Sequence, residues 1–338
     1  YGPPPKKASF FVHASIANHY LEGGYYPYGG PGEIAKEIIP VIEKTGGRVL
    51  VGKGVKEILI KNNRAIGVEI ENGDKIFANT IVSSVGLRNT YNKLIESKEH
   101  IDDCYINLIK NIPISTSFIY LFVNLKGTPE ELGLKSSNIW SWPERDYDNM
   151  IELFEKDPLN NPIPLFIACS CAKDESWNER YPGKSNAIVL TMAKKEWFND
   201  WEYQRCMHRG EDYDNFKEKF AKRMFEEGLF KYYPLTRDKV EHYDIGTPLS
   251  IQHYINSYSG EAYGLDSTPY RYTKAYDLCP ETKIKNLYLS GQDICTLGFT
   301  GALMGGVLTA HSILGYGTLF DVLIGKNLIK DLKNMKFK

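Results

Sequence analysis

Between positions 31 and 47 the apolar side chains Ile34, Ile38, Val41 and Ile42 recur at helical spacing, and Gly46–Gly47 supplies a stop. A helix is predicted there, with Pro40 kinking it or starting a second turn. Arg48–Val49–Leu50–Val51 follows as a short apolar run suited to a buried strand. The period then changes to two. Ile58 and Ile60 alternate, Asn62–Asn63 turns the chain, Ile66, Val68 and Ile70 alternate, Asn72–Gly73 turns it again, and Ile76–Phe77 closes the set. That is a three-stranded meander. It leads into Thr80–Gly86, which reads as a buried strand ending in small residues. Helix, parallel-type strand, antiparallel meander and strand, in that order, suit an α/β nucleotide-binding domain carrying a β-meander.

The stretch from about Ile101 to Tyr276 has fewer clean periods and many aromatics, among them Trp140, Trp142, Trp177, Trp197 and Trp201. Strands are predicted over 116–124 and 163–170, and an amphipathic helix over 212–232 with Phe216, Phe220, Met224 and Phe225 inward. This reads as a separate α+β region. The pattern sharpens again at Leu287–Gly291, a strand ending on glycine. A polar loop over 292–300 and a small-residue helix over 301–314 come next. The basic stretch after Lys326 reads as a surface helix. The expected organisation is a nucleotide-binding segment over 20–95, a substrate-binding region over 96–282, a returning nucleotide-binding segment over 283–325 and a basic tail over 326–338.

Composition narrows the class. The chain has 338 residues, 42% of them hydrophobic, and 41 Lys+Arg against 42 Asp+Glu for a net charge of −1. Such a chain builds a core, which excludes a disordered protein and a basic nucleic-acid-binding arm. Six cysteines in this length do not make a disulfide scaffold. The run 294–320 carries no Asp, Glu, Lys or Arg and is long enough to span a bilayer. Its glycines, hydroxyls and His311 favour a buried helix over a spanning one. The chain opens at Tyr1 rather than Met, which sets the expectation that it is part of something longer.

Gly30–Pro31–Gly32–Glu33–Ile34–Ala35 fits the letters of a dinucleotide fingerprint, but its context fails. Pro27 stands where a central strand should precede it, and Lys53 stands where an acid should end the next one. The second strand–loop–helix is a better candidate. Gly291–Gln292–Asp293 puts a carboxylate at a strand end, where a ribose or ribitol hydroxyl could bind. A helix starting near Gly301 would offer N–H groups to negative charge, such as the N1–C2=O edge of a reduced flavin. The same glycines would equally serve tight helix–sheet packing, and the residues alone leave both readings open. Cys169–Ser170–Cys171 and Cys206–Met207–His208 lack zinc spacing, so no metal site is expected. There is no G-x-S-x-G elbow, and His253 and His311 read as structural. The Tyr and Trp content reads as core, with an apolar substrate channel as the alternative.

Several stretches together carry a family resemblance. They are Gly24–Gly30 ahead of a helix, Gly46–Val49 and Val55 ahead of the meander, Lys173–Asp174 with Trp177 and Arg180, Pro182–Gly183, Glu196–Phe198 with Trp201, Ala262–Gly264, Asn286–Asp293 and Gly301–Leu303. In order and spacing they resemble the FAD-dependent phytoene desaturase and carotenoid isomerase family, nearest to its retinoid-saturating branch, from Pro3 to about Leu323. The resemblance implies a Rossmann-like FAD/NAD(P)-binding domain of the amine-oxidase type, with its phosphate-binding glycine motif in a stretch that has no counterpart here. It implies FAD as cofactor, NAD(P)H as a candidate electron donor, and saturation of the 13,14 double bond of all-trans-retinol. Carotenoid desaturation or isomerisation, or a truncated non-catalytic fragment lacking the phosphate loop, are the alternatives, and this chain alone is expected to retain FAD weakly or not at all through purification. By the resemblance, Val55 would meet the adenine through its backbone, Gly291 and Asp293 would approach the ribitol, and Gly301 and Ala302 would offer N–H groups to the flavin. Tyr26, Pro27 and the aromatic middle region would face an isoprenoid substrate; no catalytic acid is assigned, and Tyr263 could donate the proton or equally serve packing. Peripheral association with the endoplasmic reticulum membrane is implied too, with no spanning helix and no nucleic-acid partner.

Overall fold

The structure, a computed structural model, describes residues 3–101, 103–274, 278–315 and 317–324. The basic tail predicted over 326–338 lies outside the described residues. The strands run β1 (Val55–Lys61), β2 (Arg64–Ile70), β3 (Lys75–Phe77), β4 (Ile81–Ser83), β5 (Ser117–Lys126), β6 (Ile139–Ser141), β7 (Leu165–Ala168), β8 (Lys184–Ala193), β9 (Val240–Gly246) and β10 (Leu287–Leu289). Two units form: 3–51 with 116–262, and 52–115 with the described residues from 263 onward.

In the second unit the meander is present as the sequence reads. Asn62 and Asn63 take φ of 52° and 53°, the left-handed pair that a two-residue hairpin turn requires, and Gly73 turns the next hairpin at φ 90°. The resulting sheet has the order β1–β2–β3. β4 pairs in parallel with β10, which follows it by some two hundred residues, with Ile81 opposite Leu287 and Ser83 opposite Leu289. Ile58, Ile81, Leu87, Ile112, Leu265, Leu287 and Leu289 belong to one buried cluster, which joins the meander to this parallel pair. The uncharged run forms a helix over Gly298–Leu314 that ends where Gly315 takes φ 93°. Among the described residues no helix is long and apolar enough to cross a membrane.

The first unit is built on a five-stranded antiparallel sheet of order β6–β7–β8–β5–β9. One face carries Ile119, Leu121, Val123, Leu165, Ile167, Val189 and Ile245 into a core with Phe154, Phe198, Phe220 and Met224. The helix Glu211–Arg223 supplies Phe220, as its apolar spacing predicts, and continues as a wider turn over Met224–Leu229.

Two expectations change. The helix predicted from 31 to 47 spans Gly32–Lys44 and runs through Pro40, with none of its residues buried. No strand forms at Arg48–Val51; the segment is irregular, with Val49, Leu50 and Val51 exposed. A strand exists only by pairing its N–H and C=O groups, and no described strand lies alongside this one. Phe220 is fully buried, so Phe220→Ala should lower the unfolding free energy by about 3–5 kcal/mol, measured by denaturant titration.

Candidate functional site

In an open parallel sheet, ligands bind beyond the carboxyl ends of the strands. In the second unit those ends are Ser84–Gly86 after β4 and Ser290–Asp293 after β10, held side by side by the Ser290 N–H donating to Ser83 O at 2.8 Å. Asp293 is buried between them. Its Oδ2 accepts from the Leu87 N–H at 2.8 Å, and its Oδ1 accepts from the Leu265 N–H at 2.9 Å. Both carboxylate oxygens are therefore engaged by the protein's own backbone. The carboxylate ties three loops together, with one backbone N–H on each oxygen. Gly264 is required here: it has φ 66°, and a Cβ on it would stand 2.2 Å from Asp293 Oδ1.

The helix that follows starts at Gly298, three residues earlier than the predicted Gly301. In an α-helix only the first few N–H groups lack an intrahelical acceptor. The Gly298 N–H is taken by the Gln292 side chain, Oε1 at 3.0 Å. The groups left to face a ligand are then those of Phe299 and Thr300, both exposed residues, since the N-cap residue Leu297 makes no side-chain cap. Gly301 and Ala302 fall inside the helical ladder. The packing reading also holds for the glycines: a Cβ on Gly301 would meet Thr296 O at 1.7 Å, and one on Gly305 would meet Gly291 O at 2.1 Å. The helix lies against the Gly291 loop because there is no side chain between them. Thr309 Oγ1 adds a hydrogen bond to Leu289 O at 2.8 Å.

Tyr263 comes to the same place. Its N–H donates to Ser115 Oγ at 2.8 Å, and its ring lies 4.0 Å from where a Gly298 Cβ would be. Val55 stands elsewhere in this unit, at the half-exposed start of β1. Tyr91 and Tyr105 pack with ring centres 3.9 Å apart and planes tilted by 38°. Burial pushes the Tyr91 hydroxyl up to about 12 and the Tyr105 hydroxyl higher still, so the pair stays neutral.

The first unit holds the aromatic part of the prediction. The register sets Gly246, Tyr120, Leu190, Phe166 and Trp140 in one row across all five strands, on the face opposite the core. Tyr120 stacks on Phe122 at 5.9 Å, and Trp140 meets Phe166 edge-on at 4.6 Å. Phe118, Tyr120 and Phe166 are half-buried, and Phe122 and Trp140 are exposed. The result is an apolar, aromatic sheet surface. Tyr26 and Pro27 belong to this unit as well, in a loop anchored by Asp174. The Asp174 carboxylate accepts from the Gly29 N–H at 3.1 Å, the Ser176 N–H at 3.0 Å and the Ser176 hydroxyl at 2.7 Å, and pairs with Arg180. Burial pushes its pKa up, but the hydrogen bonds from Ser176 and Gly29 and the Arg180 charge outweigh that, so it lies below the ordinary carboxylate value. Cys169 and Cys171 are buried in the core; burial raises both thiols, Cys169 to about 12. Among the described residues no group of three His, Cys, Asp or Glu could hold a metal ion.

A parallel pair with a helix N-terminus at its carboxyl end, joined to a meander and accompanied by an antiparallel sheet unit, is the architecture of a flavin-type dinucleotide-binding oxidoreductase. The chain belongs to the flavin containing amine oxidoreductase family, whose model matches residues 3–314. It is 39% identical over 325 residues to the all-trans-retinol 13,14-reductase of Danio rerio, covering 93% of this chain and 53% of that protein. It is 35% identical to the Homo sapiens protein of the same name, covering 99% of this chain and 55% of that one. A more distant relative, the chloroplastic prolycopene isomerase of Daucus carota, is 26% identical over 88% of this chain and 45% of its own length. Reduced UDP-galactopyranose mutase shares the fold, with a TM-score of 0.53 at 12% identity over 85% of this chain and 52% of that one. The chain spans about half the length of the curated relatives it matches.

The geometry makes two predictions. Gly305→Ala should cost about 3 kcal/mol or more in denaturant unfolding, because the obstructing atom is a backbone carbonyl, whereas Gly306→Ala, with open space around it, should be neutral or stabilising by up to ~1 kcal/mol. Asp174, with its pKa lowered on folding, stabilises the protein above the ordinary carboxylate pKa of about 4 and loses that contribution as pH falls through its folded value. Thermal melts should therefore show a smaller acid-side loss in Asp174→Asn than in the wild type, from a lower stability at neutral pH.

Proposed function

We propose that this protein is a flavin-dependent oxidoreductase that saturates the 13,14 double bond of all-trans-retinol. The observation that carries the reading is the match to two all-trans-retinol 13,14-reductases along nearly the whole chain. The residues fit a flavin: the first turn of the 298–314 helix has exposed N–H groups at the carboxyl end of a parallel strand pair, where partial positive charge favours an anionic group. FAD bound there, once reduced, supplies a hydride. The chain's own residues do the rest. Phe299 and Thr300 offer N–H groups to the flavin's negative edge, and Gly264 and Gly291 keep the loops close enough to form the crevice. The row Tyr120, Leu190, Phe166 and Trp140 gives the first unit an apolar face of the kind an isoprenoid would pack on. Saturation also requires a proton, and Tyr263, whose ring flanks the helix start, is the candidate to hold it. A peripheral position on the endoplasmic reticulum membrane belongs to the same reading, supported by the poor water solubility of a retinoid, and NAD(P)H is proposed as the source of reducing equivalents.

The carotenoid alternative rests on the relationship to prolycopene isomerase, which is weaker in identity and coverage. Anaerobic incubation of the FAD-loaded, chemically reduced protein with all-trans-retinol should give a product heavier by two hydrogens, with the 13,14 bond reduced. No such product, together with isomerised prolycopene under the same conditions, would overturn the choice. Tyr263→Phe should lower kcat by about a hundredfold with KM little changed, if that hydroxyl delivers the proton.

A further inference from the structure

Arg271 is the bulkiest of the fully buried side chains, at 1% exposure, and among the described residues no carboxylate pairs with it. A buried cation without an ion pair is costly, and its hydrogen bonds show what it holds. Nη1 donates to Leu265 O at 2.7 Å, and Nη2 donates to Gln292 O at 2.6 Å. These two carbonyls belong to the two loops that border the crevice. The fork spans them as one planar group, which a lysine ammonium cannot reproduce. Nε has no acceptor, so the side chain is not there merely to satisfy itself.

The connections run directly to the helix start. Gln292 accepts from Arg271 through its backbone carbonyl and from the Gly298 N–H through its side chain. Leu265 gives its carbonyl to Arg271 and its N–H to Asp293. The guanidinium thus lies one residue away, by hydrogen bonds, from the first residue of the 298–314 helix. The Asp293 charge lies on the opposite end of the Leu265 peptide. The reach of the cation is visible at Cys295: burial raises that thiol, and Arg271 pulls it back down.

We infer that Arg271 is a positioning residue that fixes the Gln292 loop against the helix start and adds a buried positive charge behind it, favouring the more negatively charged, reduced form of the bound flavin. The inference rests on the flavin reading above. The cation and the helix N-terminus have the same sign and act on the same crevice, so they reinforce each other, while Asp293 offsets part of the field. Removing the charge should weaken reduced flavin more than oxidised flavin.

The test measures the two-electron reduction potential of the bound flavin in the holoenzyme, and the melting temperature of the apoprotein, for wild type, Arg271→Met, Arg271→Gln and Arg271→Lys. Both neutral variants should lose about tenfold in affinity for reduced relative to oxidised flavin, read as a potential lower by ~30 mV. Arg271→Lys should return the potential most of the way while the apoprotein still melts earlier than wild type, because the charge is kept and the fork is lost. Arg271→Gln retains an amide donor for one carbonyl and serves if Arg271→Met does not fold. A potential unchanged in the neutral variants, with only the melting temperature lowered, would overturn the inference and leave the flavin reading intact. No FAD binding by the wild-type protein in the presence of excess FAD would instead overturn the flavin reading itself.

Discussion

The second unit depends on one buried carboxylate. Asp293 receives the N–H of Leu87, 206 residues before it at the end of the β4 turn, and the N–H of Leu265, 28 residues before it, at 2.8 and 2.9 Å. A carboxylate buried among backbone donors is stable only while all of them stay in place. The geometry of the crevice follows from that requirement. Gly86 and Gly264 take left-handed φ beside the carboxylate, and a Cβ on either would crowd one of its oxygens. β10 must then run parallel to β4, which places the start of the 298–314 helix at the carboxyl end of both strands.

The same constraint changes what Asp293 can do. A strand-end acid in a dinucleotide-binding fold suggests a partner for ribitol hydroxyls, and here each of its oxygens also accepts one backbone N–H. The positive end of the helix shifts in the same way. Because the helix begins at Gly298, its open N–H groups are those of Phe299 and Thr300, while Gly301 and Gly305 allow close contact with Thr296 and Gly291. Gly301 and Gly305 serve tight packing, while the open N–H groups fall to Phe299 and Thr300 just ahead of them.

Legibility followed locality. The meander was readable because its alternation and its Asn62–Asn63 and Asn72–Gly73 turns are encoded within a few residues, and the β10–loop–helix motif was readable for the same reason. β8 was not. Its inward positions are Ser185, Ala187, Val189, Thr191 and Ala193, and its outward ones include Ile188, Leu190 and Met192, so alternation between apolar and polar residues is blurred. That blurring is itself the signal of a sheet with two apolar faces, and it marks the aromatic surface. Arg48–Val51 misled in the opposite direction: its composition suits a strand, but a strand needs a neighbour that local sequence cannot supply. Arg271 carries no motif, and its role emerges only from the two carbonyls it reaches.

The central claim is that one crevice holds a flavin that exchanges electrons with a retinoid. The direct measurement is the absorbance of bound flavin in the anaerobically reduced protein as all-trans-retinol is added. The account predicts that oxidised flavin returns in proportion to the retinol consumed, one equivalent for each. Flavin that stays reduced in the presence of excess retinol would contradict it.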